Sequence, residues 1–497
     1  MTLDALAAAA GIGLPGPCHA AVTGFAIDNR KVAPGTVFGA FQGTVVNGED
    51  FIPAAIQAGA IAVVARPQAE VSGAVHIVSE EPRQTFAQLA AQFFTPVPET
   101  IVAVTGTNGK TSTVEMTRQI WRMCGHRAAS IGTLGVTTPD GSVSTGLTTP
   151  DIVTFLSNMS GLAREGVSHV AYEASSHGLS QYRNEGLVVS AAGFTNFSRD
   201  HLDYHETMEG YFAAKMRLFD EVVSDTATAV VWTGTGEWTG RAIDHAEQRG
   251  LRVFRVGEQR GEQQGNGPDG IRLLTQTPTQ LGQQLEIEHD GVRRTINLPL
   301  IGAYQSANAL VAAGLALATG TEASAVFDAV ARLQPVRGRL ERAVITQAGA
   351  PVYVDYAHTP DALESAIAAL QPHVKGRLIT VFGAGGDRDQ GKRSAMGKVV
   401  SAHSDVVIVT DDNPRGEDAA AIRAQIMRGT RDAAEIGDRR EAIAAAIRQA
   451  NHDDIVLIAG KGHEQGQIVG SGAAMRILPF DDVTAARECA AQVGITQ

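Results

Sequence analysis

The stretch that decides the fold reads Ile101-Val102-Ala103-Val104-Thr105-Gly106-Thr107-Asn108-Gly109-Lys110-Thr111. Its four apolar residues predict a buried strand, and the glycine-rich segment after them predicts a tight turn into a helix. Glycines let backbone N–H groups approach a phosphate, a lysine adds positive charge, and a threonine hydroxyl suits Mg²⁺. The segment departs from GxxxxGK[ST], because Val104 stands where the first glycine should be. We therefore predict a shortened phosphate-binding loop.

The alternative for this stretch is a glycine-rich turn that binds no nucleotide. A Gly-Lys-Thr sequence between a strand and a helix favours nucleotide binding, and the shortened loop disfavours ordinary GTPases and motor ATPases. The predicted ATP-binding residues of the loop are Gly106, Thr107, Asn108, Gly109, Lys110, Thr111 and Ser112.

Composition narrows the function classes. The chain has 497 residues, of which 44% are hydrophobic and 19% charged, as in ordinary globular proteins. Its net charge of −12 argues against binding nucleic acid or anionic lipid over a broad surface. Three cysteines without CxxC spacing predict neither a disulfide framework nor a zinc site. No apolar run approaches the ~20 residues of a membrane span, so we expect a cytoplasmic protein without membrane insertion. We expect it to be a monomer.

Two proline-containing breaks, Thr95-Pro96-Val97-Pro98 and Gln334-Pro335-Val336-Arg337-Gly338, divide the pattern into three blocks. The predicted fold is α/β with three domains. Residues 1–96 are predicted to form an N-terminal α/β domain, and residues 97–334 a central P-loop-type ATPase domain with a parallel sheet. Residues 335–497 are predicted to form a C-terminal doubly wound, Rossmann-like domain.

Short patterns place elements within the first two blocks. The first block has strand patterns at 22–27 and 60–65 with a helical pattern at 51–58. In the middle block, residues 285–298 predict two strands around Asp290-Gly291, which is a strong hairpin signal. We attach no chemistry to this hairpin.

The last block repeats a pattern of strand, polar cluster and helix. The strands are predicted at 352–354, 378–382, 406–410 and 455–459. Because open parallel sheets bind ligands at the carboxyl ends of their strands, the polar clusters mark candidate sites. A dinucleotide loop at Gly383-Ala384-Gly385 is the alternative, but Arg388 occupies the third glycine position.

Several segments together resemble the Mur ligases and their relatives, the folylpolyglutamate synthetases. They are TGTNGKT at 105–111, EASSHGL at 173–179, NFSRDHLDYH at 196–205 and YFAAK at 211–215, with GRLE at 338–341, DYAHTPD at 355–361 and GAGGDRD at 383–389 in the last block. The resemblance covers the whole chain, and it implies that residues 1–96 bind a UDP-linked substrate and that residues 335–497 bind the incoming amino acid. It implies a ligase that uses ATP and Mg²⁺ to activate a carboxylate as an acyl phosphate and joins it to an amine.

The resemblance also implies roles for charged residues. Thr111 and Glu173 would hold one Mg²⁺, while Lys215, as a carbamate (N6-carboxylysine), and His201 would lie at a second metal. The alternatives are a solvated lysine and a structural histidine. The implied catalytic residues are Lys110, His201, Lys215, Asp355 and His358. Arg339, Asp355 and His358 would close over ATP, and Asn308 would reach adenine.

Two motifs in the last block indicate the incoming amino acid. Asp412-Asn413-Pro414-Arg415 and Gly460-Lys461-Gly462-His463-Glu464 resemble the members that add meso-2,6-diaminopimelate. Diaminopimelate differs from lysine by one carboxylate, and a guanidinium fork suits that group. The alternative is an Asn-Pro turn with an exposed arginine. The implied diaminopimelate residues are Arg388, Asp412, Asn413, Pro414, Arg415, Gly460 and Glu464.

The nucleotide-linked substrate implied by the resemblance is UDP-N-acetylmuramoyl-L-alanyl-D-glutamate. Hydroxyls and an arginine suit a UDP-sugar that carries a peptide carboxylate. The implied contacts are Asn29, Thr148, Thr149, Ser175, Gln181 and Arg183. Asn29 departs from the serine that is usual at this position in the family.

Two rival functions remain open from the sequence. A related ligase that adds L-lysine, D-Ala-D-Ala or glutamate would share the ATP loop but should lack DNPR followed by GKGHE. A non-catalytic nucleotide-binding protein should lose charged site residues, whereas this chain keeps Lys110, Glu173, His201, Lys215 and Arg388.

Overall fold

The computed structural model of the protein describes residues 1–43, 46–143, 148–234, 236–258, 270–279, 281–387 and 390–493. The chain divides into two structural units. Unit 1 consists of Met1–Arg272, His289–Gly291 and Asn308–Ala329, and unit 2 of Leu273–Glu288, Val292–Ala307 and Val330–Gln497. The predicted division into three domains, at residues 96/97 and 334/335, stays a prediction.

The N-terminal part of unit 1 is a small parallel sheet with helices. Its elements are α1 (Leu3–Ala9), β1 (Gly24–Ala26), β2 (Thr36–Gly39), α2 (Ile52–Gln57), β3 (Ala60–Ala65), β4 (Val75–Val78) and α3 (Pro82–Phe93). The strands pair in parallel in chain order, which buries their apolar residues. Strand β3 coincides with its predicted range, whereas β1 is shorter than the predicted 22–27.

The middle part of the chain, most of which belongs to unit 1, is built on a larger, mostly parallel sheet. Its strands are β5 (Thr100–Thr105), β6 (Ala128–Gly132), β7 (Gly135–Thr137), β8 (Ser142–Val143), β9 (His169–Glu173), β10 (Val189–Phe194), β11 (Val223–Trp232), β12 (Arg252–Gly257) and β13 (Gly270–Thr279). Its helices are α4 (Lys110–Met123), α5 (Ile152–Arg164), α6 (Ser176–Ser180), α7 (Leu202–His205), α8 (Met208–Arg217), α9 (Glu237–Gln248), α10 (Ala303–Ala318) and α11 (Ala323–Val330). The strand order is β13-β12-β11-β10-β5-β9-β6-β7-β8.

The register at the centre of this sheet aligns three strand ends. Val104 of β5 pairs with Glu173 of β9, and Thr105 of β5 pairs with Phe194 of β10, all in parallel. Residues that follow β5, β9 and β10 therefore emerge side by side at one edge. This is where the sequence predicts the phosphate-binding loop.

The predicted hairpin is present in the chain. Strands β14 (Gly282–His289) and β15 (Val292–Leu298) are neighbours in a sheet and are joined by Asp290-Gly291. Both turn residues have positive φ, 51° and 72°, as a two-residue turn of type I′ requires.

The last part of unit 2 is a six-stranded sheet with helices. Its elements are β16 (Glu341–Ile345), β17 (Pro351–Asp355), α12 (Pro360–Leu370), β18 (Leu378–Phe382), α13 (Gly391–His403), β19 (Val406–Val409), α14 (Ala419–Met427), β20 (Ala434–Glu435), α15 (Arg439–Gln449), β21 (Ile455–Ala459), a hairpin of β22 (Gly466–Val469) and β23 (Arg476–Pro479), and α16 (Asp482–Val493). The order is β16-β17-β21-β18-β19-β20, and only β16 pairs antiparallel to its neighbour.

Helices cover both faces of this sheet. Leu378, Leu457 and their alternate neighbours pack in one apolar cluster with α12, α13 and α14, while Ile379 and Val456 pack in another with α15 and α16. Because successive strand residues point to opposite faces, continuous apolar strands fit a doubly covered sheet. The predicted fold class is confirmed. No helix in the described ranges is long and apolar enough to cross a membrane.

A fully buried ion pair anchors the carboxyl edge of this second sheet. Arg439 at the start of α15 donates two hydrogen bonds of 2.7 Å to Asp482 at the start of α16, and both side chains have no exposed surface. The guanidinium also donates to the carbonyl oxygens of Asp411 at 3.3 Å and Ala459 at 3.0 Å. One side chain thus ties two strand ends to two helices.

We predict that Arg439→Met lowers the free energy of unfolding of unit 2 by about 3–5 kcal/mol, because it leaves Asp482 charged and buried. Hydrogen exchange of β18 and β21 amides in the intact chain measures this. Arg440→Met is the matched control: Arg440 pairs with Glu488 on the same two helices, but both side chains are about half exposed, so its loss costs less than about 1 kcal/mol. Equal effects of the two substitutions would contradict the argument.

Candidate active site

The turn between β5 and α4 has a backbone that only glycine fits at two positions. Gly106 has φ 142° and Gly109 has φ 84°. A Cβ on Gly106 would overlap the Thr195 hydroxyl, and a Cβ on Gly109 would overlap the Asn308 amide. The helix begins at Lys110. Since the first N–H groups of a helix have no intrahelical partner, the turn presents donors suited to phosphate.

The segment after β10 holds this loop in shape. The Thr195 hydroxyl donates to the Asn108 carbonyl at 2.6 Å, and Asn196 Oδ1 accepts from the Asn108 N–H at 2.9 Å. The Thr107 N–H donates to the Asn196 carbonyl at 2.9 Å, while the Thr107 hydroxyl accepts from the Ser198 N–H at 3.0 Å. The sequence places 196–198 in a motif but does not predict this support for the loop.

Two lysines meet at the loop carbonyls. Lys110 Nζ donates to the carbonyl oxygens of Gly106 at 3.0 Å and Thr107 at 2.8 Å. Lys215 Nζ, on α8, donates to the Gly106 carbonyl at 2.7 Å and lies 4.4 Å from the centre of the Tyr211 ring. Lys215 is buried, and burial together with the nearby charge of Lys110 holds its pKa well below the usual lysine value. Burial therefore disfavours the charged form of Lys215 more than water does.

Glu173 ends β9 beside the loop. Its buried carboxylate accepts hydrogen bonds from the Thr133 N–H at 2.7 Å and the Thr133 hydroxyl at 3.2 Å. Thr111, in the first turn of α4, is also buried. A carboxylate and a hydroxyl are the hard oxygen donors that Mg²⁺ prefers, so their chemistry fits the ion. Within the described residues, no three His, Cys, Asp or Glu side chains are already grouped as metal ligands.

His201 lies at the start of α7 with φ 50°. Its Nε2 is 3.4 Å from Asp200, and its ring packs edge-to-face on His177 with 4.8 Å between centroids. His177 in turn packs on Tyr204 at 4.2 Å. The histidine thus belongs to an aromatic cluster, and its role at a metal stays a prediction.

Five of the six predicted contacts to the UDP-linked substrate form a network in unit 1. Thr149 Oγ1 lies 2.9 Å from Ser175 Oγ, and Arg183 donates to the Thr149 carbonyl at 3.0 Å and to Gln181 Oε1 at 3.1 Å. Thr148 Oγ1 lies 3.1 Å from the Thr133 hydroxyl that contacts Glu173.

The sixth residue, Asn29, is not part of this network. It starts a short 3₁₀ turn capped by Asp28, whose carboxylate also binds Arg30 at 2.7 Å. This bond and the Arg30 N–H lower the pKa of Asp28 to about 2. Among the hydrogen bonds of the described residues, Asn29 is joined to Val32 of its own turn and to none of Thr149, Ser175, Gln181 and Arg183.

Arg83 is a further candidate that lies in none of the sequence motifs. Its guanidinium lies 4.8 Å from the Phe41 ring centre and donates to the Gln42 carbonyl at 3.0 Å. Burial and the charge of Arg183 lower its pKa. Neither arginine has a carboxylate within ion-pair distance in the described part of the chain, which leaves two cations for an anionic ligand. An arginine in a helical pattern does not by itself indicate a ligand site, because such side chains are usually solvated.

In unit 2, the polar cluster after β17 is tightly hydrogen-bonded. Asp355 accepts from the Leu340 N–H at 2.7 Å and the Ala357 N–H at 2.8 Å, so both oxygens hold backbone in place. Its pKa is raised because burial outweighs these bonds and the Arg339 charge. Arg339 lies 5.0 Å from the Tyr356 ring centre. His358 Nδ1 lies 2.8 Å from the Tyr356 carbonyl, which leaves Nε2 of this exposed ring as the better candidate for proton transfer.

The two diaminopimelate motifs also meet in unit 2. Asn413 Nδ2 donates to Glu464 Oε2 at 2.8 Å, joining the turn after β19 to the loop after β21. Arg415 has φ 51°, and its Nη1 donates to the Gly386 carbonyl at 3.1 Å and the Asn413 carbonyl at 3.4 Å. Its other guanidinium nitrogens have no partner among the described residues. The predicted contact Arg388 lies outside the described residues.

Asp412 adds an unsatisfied carboxylate oxygen to this site. Oδ1 accepts from the Asn413 N–H at 2.6 Å, whereas the buried Oδ2 has no hydrogen-bond donor among the described residues. A Cβ on Gly460, whose φ is 123°, would crowd this oxygen at 2.5 Å. Pro414 follows and lies against Gly386. A buried, unsatisfied carboxylate oxygen is costly unless a ligand donates to it.

The glycine-rich turn at the central strand of a parallel sheet gives unit 1 the layout of a P-loop-type nucleotide-binding domain. The chain belongs to the Mur ligase family, as its resemblance indicated. Residues 21–94, 104–316 and 338–462 match the family's models described as Mur ligase family, catalytic domain, as Mur ligase middle domain, and as Mur ligase, glutamate ligase domain.

Two curated proteins with similar sequences carry names that agree with this family. The UDP-N-acetylmuramoyl-L-alanyl-D-glutamate–2,6-diaminopimelate ligase of Zymomonas mobilis is 58% identical over 94% of each chain. The protein of the same name from Bradyrhizobium diazoefficiens is 50% identical over 93% of each chain.

Among solved structures, a UDP-N-acetylmuramoyl-L-alanyl-D-glutamate–2,6-diaminopimelate ligase aligns with a TM-score of 0.73 and 31% identity, covering 99% of each chain. The MurF ligase of Thermotoga maritima in complex with ADP aligns with a TM-score of 0.60 over 95% of this chain and 98% of its own. At 19% identity, the second match shows the fold alone.

We predict that Gly106→Ala weakens ATP binding by at least about 100-fold, because the new methyl group overlaps Thr195 and turns loop N–H donors away from phosphate. Calorimetric titration with ATP measures the effect. Gly125→Ala is the control: Gly125 has φ 93° and follows α4, but a Cβ there meets nothing within 4 Å. The control should lose about 1 kcal/mol of stability and keep its ATP affinity. Equal affinity losses would contradict the prediction.

Proposed function

We propose that the protein joins meso-2,6-diaminopimelate to UDP-N-acetylmuramoyl-L-alanyl-D-glutamate with ATP, in peptidoglycan biosynthesis. The observation that carries this is Arg415, whose guanidinium has unused donors beside Asn413 and Glu464 in unit 2. The 58% identity to a ligase with that substrate in its name supports the proposal.

The chemistry requires two displacements. A carboxylate oxygen of the D-glutamyl residue attacks the γ-phosphorus of ATP, which breaks the bond to the β-phosphate oxygen and releases ADP. The neutral amine of diaminopimelate then attacks the acyl phosphate carbon, loses a proton, and the tetrahedral intermediate expels inorganic phosphate. No covalent bond to the protein is needed, so the protein acts by positioning and electrostatics.

The loop after β5 is the proposed phosphate site. The N–H groups at the start of α4 and the Lys110 ammonium would bind the β- and γ-phosphoryl oxygens. Thr111 and Glu173 would hold Mg²⁺, which neutralises phosphate charge during transfer. Asn308, whose amide crowds Gly109, and Arg339 are the remaining proposed ATP contacts.

Lys215 is the proposed carbamylation site. The neutral amine that burial favours attacks CO₂, forming an N–C bond and releasing one proton to give an anionic carbamate. The new oxygens would serve a second metal with His201, as oxygen donors suit a hard cation.

The remaining assignments are also proposals. Thr148, Thr149, Ser175, Gln181 and Arg183 would bind the UDP-linked substrate, with Asn29 from the N-terminal sheet. His358 would accept the amine proton through Nε2, since both Asp355 oxygens already hold backbone N–H groups. Because ATP is a substrate, we place the reaction in the cytoplasm, and we propose a monomer.

We expect Arg415→Ala to lower kcat/KM for meso-2,6-diaminopimelate by about 10²–10³-fold, since a bidentate guanidinium–carboxylate pair is lost. ADP release with Mg-ATP and UDP-N-acetylmuramoyl-L-alanyl-D-glutamate measures this, with L-lysine compared in parallel. Arg428→Ala, at an exposed arginine of the same unit, should leave turnover unchanged. Wild-type activity with lysine only would overturn the proposed substrate, and no activity with either amino acid would favour a different ligase of the family.

A second expectation concerns Lys215 and CO₂. Protein incubated with ¹³C-bicarbonate should show one bound carbamate signal by NMR, which Lys215→Ala abolishes and the surface variant Lys398→Ala retains. Because only the neutral amine reacts, the signal should weaken as pH falls through the lowered pKa of Lys215. A signal that persists in Lys215→Ala, or that strengthens at low pH, would place the carbamate elsewhere.

A further inference from the structure

A lysine with no exposed surface lies in the proposed amino-acid site. Lys461 follows β21, and its side chain is fully buried. Its Nζ donates to Asn413 Oδ1 at 2.9 Å and lies 3.4 Å from Glu464 Oε2. Burying an ammonium costs free energy unless hydrogen-bond acceptors surround it. The two contacts therefore favour one arrangement of the Asn413 and Glu464 side chains around Lys461.

The three side chains form a closed triangle. Asn413 Nδ2 donates to the same Glu464 oxygen, Oε2, at 2.8 Å. Asn413 Oδ1 also accepts from the Ile468 N–H at 2.9 Å, so the asparagine amide has a bonded oxygen and a bonded nitrogen. The asparagine therefore holds the Glu464 carboxylate in place.

One edge of the Glu464 carboxylate is therefore fixed, and the other is available. Both described donors bind Oε2, while Oε1 has no partner among the described residues, and the side chain is about one-third exposed. A carboxylate held by one oxygen presents the other in a fixed direction. That arrangement suits a ligand ammonium, which gains charge-assisted bonds without first ordering the side chain.

We propose that Lys461 is a positioning residue that, together with Asn413, aims Glu464 Oε1 at the distal ammonium of the incoming amino acid. The proposal rests on the proposed function, in which Arg415 meets the distal carboxylate and Glu464 the distal ammonium, and it adds the support that Lys461 gives to Glu464. Lys461 itself touches no substrate.

The contacts also show that Lys461 can be replaced without leaving an unpaired group. In Lys461→Met, Asn413 Oδ1 keeps the Ile468 N–H, and Glu464 Oε2 keeps Asn413 Nδ2. Methionine has a similar length and suits a buried position. Lys461→Gln retains a donor without the charge and is the second variant if the first fails to fold.

The test compares two amino acids in the ligase reaction of the full chain. One is meso-2,6-diaminopimelate, and the other is 2-aminopimelate, which keeps the reacting amine and both carboxylates but lacks the distal amine. Lys461→Met should raise KM for diaminopimelate about tenfold, with KM for ATP unchanged. It should leave KM for 2-aminopimelate unchanged, so discrimination between the two falls. The surface variant Lys398→Met should change none of these values.

A double-variant comparison shows whether Lys461 acts through Glu464. Glu464→Gln should lose the same discrimination, and adding Lys461→Met to it should change KM less than about twofold. Additive losses, or an equal loss for both amino acids, would overturn the positioning role and leave a structural one.

The proposed function and the proposed role of Lys461 can be overturned separately. A wild-type protein that does not use diaminopimelate overturns the proposed function and the role of Lys461 together. A wild-type protein that discriminates between the two amino acids, beside a folded Lys461→Met that discriminates equally well, overturns the role of Lys461 alone.

Discussion

The parallel register of β9, β5 and β10 is the constraint on which the nucleotide site depends. It places Glu173, the loop at 106–109 and Thr195 at one edge of the sheet. A slip of one residue would turn each side chain to the opposite face of its strand. The loop is consequently shaped by its neighbours: Thr195 and Asn196 hold the backbone of Asn108, and two glycines provide conformations that no other residue fits.

Buried cations hold residues in place at the carboxyl edge of the six-stranded sheet. Arg439 links the carbonyl oxygens of Asp411 and Ala459 to the Asp482 carboxylate. The turn that carries Asn413 and the loop that carries Glu464 therefore begin at fixed backbone positions. Ligand-binding groups then rest on rigid supports, which reduces the entropy lost when a ligand binds. The costly desolvation of each cation is offset by several acceptors at once.

Elements that are encoded by short, local sequence patterns could be predicted. The strand before Gly106, the Asp290-Gly291 turn and the apolar strands of unit 2 follow from short patterns, and they are found where expected. Asp412 and Glu464 lie in motifs whose charges point to a ligand. Support from distant residues leaves no local pattern: Thr195 is 87 residues from Asn108, and Arg439 is 43 residues from Asp482. An arginine or lysine in a helical or loop pattern predicts a solvated side chain, so only the fold identifies those that are buried.

Lys215 and Lys461 show why residue type alone does not determine a role. Both are buried at the carboxyl edge of a parallel sheet and donate to an oxygen within 3 Å. The Lys215 amine donates to the Gly106 carbonyl, and burial together with the positive charge of Lys110 lowers its pKa. Lys461 contacts an amide oxygen and the Glu464 carboxylate, which suit a structural cation. The surroundings of each side chain therefore separate the lysine proposed to react with CO₂ from the lysine proposed to hold Glu464.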